Sequence, residues 1–149
     1  MGAIRVAEHR RVYLDTNTLI AILEQPGELD TAQKTLVRGI DEGEIDAVTS
    51  ELTLAECLVK PIAEKDEQLV RAYLSLLAAD SPFVRVKGVS RDVLLEAARI
   101  RAGSGVKLPD AIHIATANLV QCSAFVSNDR RLASANTMDF KLWSRMDLP

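Results

Sequence analysis

The stretch Arg-Val-Tyr-Leu-Asp-Thr-Asn, residues 11–17, joins a short β-strand to the start of a helix. Its β-rich first half favours a strand that Asp15 closes. The polar residues that follow can cap a helix, which should stop at Pro26-Gly27. A strand that runs straight into a helix is the first part of a crossover unit, so the rest of the chain is expected to repeat this order.

The same alternation continues to the end of the sequence. The hydrophobic periodicity predicts further helices over 31–40, 52–59, 67–79, 90–102 and 109–120. Pro61 is predicted to end the helix over 52–59. It predicts further strands over 46–50, 83–86, 124–127 and, as a possible last strand, 140–143. Strands separated by helices of this length predict an α/β fold with a central, mainly parallel sheet of four to five strands and helices on both faces. A single domain over residues 1–149 is expected.

Composition narrows the class of protein. With 48% hydrophobic and 26% charged residues among 149, the chain can bury a core, which excludes disorder of the whole chain. No apolar stretch approaches the roughly 18 residues of a membrane span, and residues 1–11 lack an apolar signal core. The net charge of -3 argues against general adhesion to nucleic acid, and the two cysteines suit a reducing compartment. A cytoplasmic protein is predicted, without a membrane partner.

Two acidic residues follow directly after predicted strands. Asp15 closes the first strand, and Asp129 comes just after the strand over 124–127. In open α/β sheets, active sites gather outside the carboxyl ends of the strands, so both positions are candidates for chemistry. Either residue alone could instead be an ordinary helix cap.

Glu56 is a third candidate. It shares a helical face with Leu52, Ala55 and Val59, which places a carboxylate in an apolar stripe. Because an unpaired buried charge is costly, Glu56 needs a cation, a basic partner or a network of hydrogen bonds.

Asp110 is the fourth candidate and opens a helix that is apolar on nearly every side. Such a helix is expected to be central to the core. The helix dipole by itself could account for an acid in the first turn. His113, one turn later, is interpreted as a hydrogen-bonded structural histidine and is left outside the predicted site.

These candidates indicate a metal site without zinc. The two histidines and two cysteines have no zinc-like spacing, so the available ligands are carboxylates. Three or four carboxylates in one place repel one another unless divalent cations are bound, and oxygen ligands favour Mg²⁺ or Mn²⁺. Such a set is typical of a site that cleaves phosphodiesters.

Four motifs carry a family resemblance. They are Leu-Asp-Thr-Asn (14–17), Thr-Leu-Ala-Glu (53–56), Leu-Pro-Asp-Ala-Ile-His-Ile-Ala-Thr-Ala (108–117) and Ser-Asn-Asp-Arg-Arg-Leu (127–132). In this order they resemble PIN domains, and within that family VapC-type toxins. The resemblance implies a three-layer α/β/α fold and a Mg²⁺- or Mn²⁺-dependent ribonuclease. The acidic quartet is matched by Asp15, Glu56, Asp110 and Asp129, and two supporting positions by Asn17 and Ser127, where Thr is more usual at the second.

The resemblance also sets expectations about mechanism and partners. Asp15 and Asp110 would be the principal metal ligands, while Glu56 and Asp129 complete the site or orient the attacking water. Hydrolysis would leave a 5′-phosphate and a 3′-hydroxyl. The substrate would be RNA, the partners a cognate antitoxin and a second copy in a homodimer. Positive residues near the acids in sequence, candidates for drawing in RNA, are Lys107, Arg130 and Arg131.

Three other functions stay open. A PIN domain that processes RNA outside a toxin–antitoxin pair would carry the same acids. A phosphoacceptor domain, either a receiver or a haloacid-dehalogenase-type phosphatase, could use Asp15 as the nucleophile, although Asn17 stands where the phosphatase pattern wants a second acid. A binding module that keeps the fold without activity is the third.

Overall fold

The computed structural model describes residues 10–146. Its strands are β1 (Arg10–Leu14), β2 (Ile45–Ser50), β3 (Val84–Lys87), β4 (Ala124–Ser127) and β5 (Asp139–Leu142). Its α-helices are α1 (Thr16–Glu24), α2 (Thr31–Asp41), α3 (Glu51–Ala63), α4 (Glu67–Leu76), α5 (Arg91–Ser104) and α6 (Leu108–Leu119). Short 3₁₀ helices cover Pro26–Glu28, Arg130–Ala135 and Trp143–Arg145. The predicted alternation of strands and helices is confirmed, with element ends shifted by a few residues.

The five strands form one parallel sheet in the order β3-β2-β1-β4-β5. β1 lies at the centre, where Tyr13 pairs with Val48 of β2 on one side and with Phe125 of β4 on the other. The chain first builds the β2–β3 side of the sheet and then crosses to the β4–β5 side. The direction of winding therefore reverses between β1 and β4, and a crevice is expected outside their carboxyl ends.

Alternate residues of β1 face the two helical layers. Val12 and Leu14 pack in a core cluster with Leu19 of α1, Ile40 of α2, and buried residues of α3 and α4. Tyr13 points to the opposite face and packs with residues of α6 and β4. Because successive side chains of a strand alternate, this pattern puts α1–α4 on one face of the sheet and α6 on the other. The predicted three-layer α/β/α arrangement is confirmed.

Helix α6 is the most buried helix of the described chain. All residues from 111 to 117 are buried, including His113 and Thr116. Buried Val93 and Ala97 of α5 cluster with this helix. The expectation of a central, nearly all-apolar helix is confirmed, and it fixes the position of Asp110 in the first turn.

The prediction that Pro61 ends a helix is wrong. Pro61 lies inside α3 and is buried in the last turn of that helix, which continues to Ala63. Proline removes only the hydrogen bond that its own N–H would make, and its ring crowds the preceding turn. Burial of the Pro61 ring contributes apolar packing against that cost, and the helix ends two residues later, at Ala63.

The predicted inner face of α3 is also wrong. Ala55 and Val59 are exposed, with Val59 at 69%, whereas the buried positions are Thr53, Cys57 and Pro61. Thr53 can turn inward because its hydroxyl bonds that of Thr49 at 2.8 Å. A satisfied hydroxyl costs little to bury, so the apolar pattern alone did not identify the true inner face.

Other expectations concern the surface and the ends of the chain. Within residues 10–146, no helix is both long and apolar enough to cross a membrane. Cys57 and Cys122 are buried free thiols, as expected of small apolar residues. Residues 1–9, which include His9 and most of the segment that lacks a signal core, lie outside the described part.

Candidate active site

Four structural elements bring the predicted acids to the carboxyl edge of the sheet. Asp15 directly follows β1, Glu56 lies in the middle of α3, Asp110 lies in the first turn of α6 and Asp129 follows β4. The first three line one cleft of roughly 200 Å³. The other residues that line it are Thr16, Asn17, Ile20, His113 and Leu132.

Asp15 is the most buried of the acids, at 7% exposed. It is the N-cap of α1, and its Oδ1 accepts hydrogen bonds from the Thr18 backbone N–H at 3.0 Å and the Thr18 hydroxyl at 2.8 Å. Burial raises the pKa of Asp15, against the hydrogen bonding of Ser127 and Thr18, which lowers it. Asp15 thus caps a helix and also presents a poorly solvated carboxylate to the cleft.

Glu56 is half-buried and held at one oxygen. Its Oε1 accepts from the Thr16 hydroxyl at 2.6 Å and contacts His113 Nε2 at 2.8 Å. Burial alone would raise the pKa of Glu56, but the hydrogen bonds of His113 and Thr16 outweigh it and leave the pKa below its usual value. Of the three alternatives that the sequence left open for this carboxylate, a network of hydrogen bonds is present.

His113 was not among the predicted site residues, yet it lines the cleft. Its Nδ1 lies 2.5 Å from the hydroxyl of Tyr13, which is fully buried in the centre of the sheet. The interpretation as a hydrogen-bonded structural histidine holds, but its partner on the other side is a predicted site residue. One signal was available in the sequence, since a histidine on a fully buried helix must find polar partners.

Asp110 is partly buried beside the other acids. Burial raises its pKa, as do the negative charges of Asp129 and Glu56, while His113 and Arg131 act in the opposite direction. No Lys or Arg of the described chain forms an ion pair with Asp110 or Asp15. Among the described residues, these two carboxylates therefore face the cleft without a direct ion pair to a lysine or arginine.

Asp129 differs from the other three acids because it is already paired. Arg131 donates to both of its oxygens, at 2.9 Å and 2.6 Å, and these bonds hold the pKa of Asp129 below its usual value. Asp129 also caps the 3₁₀ helix Arg130–Ala135 through the Arg131 backbone N–H. It lies near enough to Asp110 to influence that residue's pKa but does not line the same cleft.

The two predicted supporting residues have different surroundings. Ser127 is fully buried, and its hydroxyl accepts from the Asp129 backbone N–H at 3.0 Å. Hydrogen bonding from Ser127 also lowers the pKa of Asp15. Asn17 lines the cleft and is exposed, but among the described residues its side chain bonds none of the acids. Thr16 and Thr18 make the hydrogen bonds to Glu56 and Asp15 instead.

A second cleft adjoins the first and has two basic residues in its lining. Lys107 and Arg131 line it, together with Asp110 and Leu132, which are common to both clefts. Arg130 is exposed on the same 3₁₀ helix as Arg131. Two of the three predicted basic residues thus lie beside an acid of the site.

The donor set suits a hard divalent cation. Asp15, Glu56 and Asp110 offer only oxygen atoms. Bound positive charge would offset the burial that raises the pKa of Asp15 and Asp110, and also the negative charges of Asp129 and Glu56 that raise the pKa of Asp110 further. Within residues 10–146, however, no three acidic, histidine or cysteine side chains stand close enough together to hold one ion. The chemistry of the residues fits such an ion, and the side chains would have to draw together around it.

Comparison with known proteins places the chain in a family. A family model described as PIN domain matches residues 12–137, which span all four acids. No curated protein sequence matches the chain.

Several solved structures share the fold. A toxin–antitoxin complex from Klebsiella pneumoniae has a TM-score of 0.59 at 23% identity, covering 82% of this chain and 90% of that one. VapBC2 from Rickettsia felis, bound to a promoter DNA fragment, has a TM-score of 0.68 at 12% identity, covering 89% and 98%. The sarcin-ricin loop cleaving toxin VapC20 from Mycobacterium tuberculosis has a TM-score of 0.57 at 19% identity, covering 76% and 86%. At these identities the likeness shows the fold, and together with the family match it establishes that the chain belongs to the PIN domain family.

Proposed function

We propose that this PIN domain is a Mg²⁺- or Mn²⁺-dependent endoribonuclease and the toxin of a toxin–antitoxin pair. The observation that carries the proposal is the cleft at the switch point of the sheet. Asp15, Glu56 and Asp110 come to it from three separate elements, and two of them have no described basic partner. Carboxylates that are buried or partly buried without a direct ion pair are costly to maintain, which favours a function over a structural role.

Each acid has a part in the proposed reaction. Asp15 and Asp110 would hold the metal ion, with Glu56 completing the site or orienting the attacking water. A divalent ion bound there would supply positive charge for the phosphoryl oxygens and favour ionisation of water. Asp129 would join only after its carboxylate turns from Arg131, which now holds both of its oxygens.

The neighbouring basic cleft supports a polyanionic substrate. Lys107 and Arg131 lie beside Asp110, so a phosphate chain seated on them would pass the acids. The chain has only 4% aromatic residues, which argues against extensive base stacking as the means of binding. Single-stranded or looped RNA is the proposed substrate, in keeping with one structural neighbour, VapC20, which is a sarcin-ricin loop cleaving toxin.

The test is cleavage of a structured RNA pool by purified protein in Mg²⁺, Mn²⁺ or EDTA. The native chain should cut with metal and leave 5′-phosphate ends, whereas EDTA and Asp15→Asn should abolish cutting. Asp80→Asn is the matched control, because it removes the same charge from an exposed residue outside the cleft. Cleavage that survives in Asp15→Asn or in EDTA would contradict the proposal.

The toxin role and its partners form the second part of the proposal. One structural neighbour is a toxin–antitoxin complex, which supports a cognate antitoxin that covers the cleft. Val59 and Ile62 of α3 and Leu74 of α4 are exposed apolar residues that could serve the antitoxin or a homodimer. Induced expression of the native chain should arrest growth and Asp15→Asn should not, while light scattering reports the oligomeric state. Unimpaired growth with active nuclease would favour an RNA-processing role outside such a pair.

A further inference from the structure

The cleft is connected to the middle of the sheet by a buried chain of hydrogen bonds. Tyr13 of β1 contacts His113 Nδ1 at 2.5 Å, and His113 Nε2 contacts Glu56 Oε1 at 2.8 Å. Tyr13 is fully buried and His113 is 3% exposed, so water does not compete for these groups. The three residues come from β1, α6 and α3, which are far apart in sequence.

For a neutral imidazole, the contacts select one tautomer of His113. The Glu56 carboxylate can only accept, so the 2.8 Å contact requires a proton on His113 Nε2. A neutral imidazole then has a bare Nδ1, which accepts from the Tyr13 hydroxyl.

Both donors reach the same oxygen of Glu56. Thr16 donates to Oε1 at 2.6 Å and His113 shares that atom, while none of the described residues donates to Oε2. Since Glu56 lines the cleft, the oxygen left over is the one available to a ligand there. We propose that Tyr13 and His113 are positioning residues that fix the Glu56 carboxylate so that Oε2 serves the cleft.

The packing around Tyr13 holds this chain of hydrogen bonds in one arrangement. Its ring stacks on Phe125 with centroids 5.0 Å apart and meets the His113 ring edge-on at 5.7 Å. Tyr13 is also paired with strands on both sides. The orientation of Glu56 is thereby tied to the centre of the sheet instead of depending on a mobile side chain.

The expected effect of this positioning on metal binding rests on the proposed function. A matched pair of variants at position 113 tests that effect. Gln at position 113 can place an amide N–H near the site of Nε2, whereas Asn is shorter and reaches only the site of Nδ1. Both lose the aromatic ring, so they share the loss of packing. His113→Asn should weaken Mn²⁺ binding about 10- to 100-fold, as expected for loss of a supporting hydrogen bond, and His113→Gln should largely restore it.

Mn²⁺ affinity is measured by titration calorimetry on folded protein, with urea unfolding of both variants beside it. Tyr13→Phe, which keeps the ring and removes the hydroxyl, should also weaken Mn²⁺ binding. With RNA, His113→Asn should lower kcat more than it raises KM, because Glu56 stays present but is no longer oriented. Equal Mn²⁺ affinity in the Asn, Gln and native proteins would overturn the proposal, whatever happens to stability.

A measurement without metal or RNA separates this inference from the proposed function. The ¹⁵N spectrum of histidine-labelled protein, with His113→Gln to identify the signal, shows which ring nitrogen carries the proton. A proton on Nε2 supports the positioning chain, and a bare Nε2 overturns it. If the native protein neither binds Mn²⁺ nor cuts RNA, the proposed function fails, and the spectrum still decides the hydrogen-bond chain.

Discussion

Replacing Asp15 separates its structural role from its chemical one. Asp15 Oδ1 accepts from the Thr18 N–H at 3.0 Å and the Thr18 hydroxyl at 2.8 Å, and an asparagine can keep both bonds. Alanine loses both. The Thr18 hydroxyl then retains the Val126 carbonyl at 3.3 Å, but the backbone N–H is left without its acceptor. Asp15→Asn and Asp15→Ala should therefore both be inactive and yet differ in stability.

The size of that difference follows from the lost cap. Truncating an N-cap to alanine costs about 0.5–2 kcal/mol, and a buried unsatisfied N–H costs about 1–3 kcal/mol. These figures describe the same bond, so Asp15→Ala should lose about 2 kcal/mol in the free energy of unfolding and roughly 4–8 °C in Tm. Asp15→Asn should be at least as stable as the native chain without metal, because burial raises the pKa of Asp15 and so penalises its charge.

The pH dependence has a definite sign. The unfolded carboxyl ionises near its ordinary pKa of about 3.9, while burial raises the folded pKa above that. As pH rises through this window the unfolded state loses its proton first, so the native chain loses stability relative to Asp15→Asn. The advantage of Asn should vanish below the window and be constant at neutral pH.

Urea unfolding of the three proteins, without metal and with Mg²⁺, checks both points. Mg²⁺ should stabilise the native chain by about 2.7 kcal/mol at 100 times its Kd and leave both variants unchanged. Equal stability of the Asn and Ala variants would refute the capping argument. Loss of more than about 1 kcal/mol in Asp15→Asn, the typical worth of a hydrogen bond, would mean that the buried charge is compensated in the native fold.

Three further perturbations are predicted. Gly103→Ala, inside α5, should raise the free energy of unfolding by about 0.5–1 kcal/mol. Gly105→Ala should lower it by about 1–2 kcal/mol, because the φ of Gly105 is +74°. An added Cβ meets no steric clash at either position, and urea unfolding compares the two variants. Burial raises the pKa of Cys57 and of Cys122 to about 12. Disulfide reagents at pH 8 should therefore label these thiols only when urea has unfolded the protein. Rapid labelling of the folded protein would contradict this prediction. Arg131→Ala should tighten Mn²⁺ binding, because it frees the Asp129 carboxylate. It should also raise KM for RNA, because it removes a cation from the neighbouring cleft. Calorimetry measures the first effect and kinetics the second, and unchanged values for both would argue against a role for Arg131.

The fold was predictable because its signals are local. Asp15 directly follows a strand and caps the next helix, and both signals lie within a few residues of one another. The parallel order of the sheet follows from helices between the strands. The inner face of α3 was not predictable in this way, because Thr53 is buried through a hydroxyl partner, Thr49, that only the folded chain brings to it.

The same distinction applies to the site. Acids at element ends can be located from sequence, since the ends of parallel strands meet at one edge. The groups that hold an acid in place cannot, because Tyr13 and His113 are separated by 100 positions and each looks like an ordinary core residue. The sequence alone nevertheless predicts that His113 is buried, and both ring nitrogens of a buried histidine need hydrogen-bond partners. Where a helix carries an acid in its first turn and a buried histidine one turn later, as α6 does with Asp110 and His113, one of those partners should be sought among the acids of the same cleft.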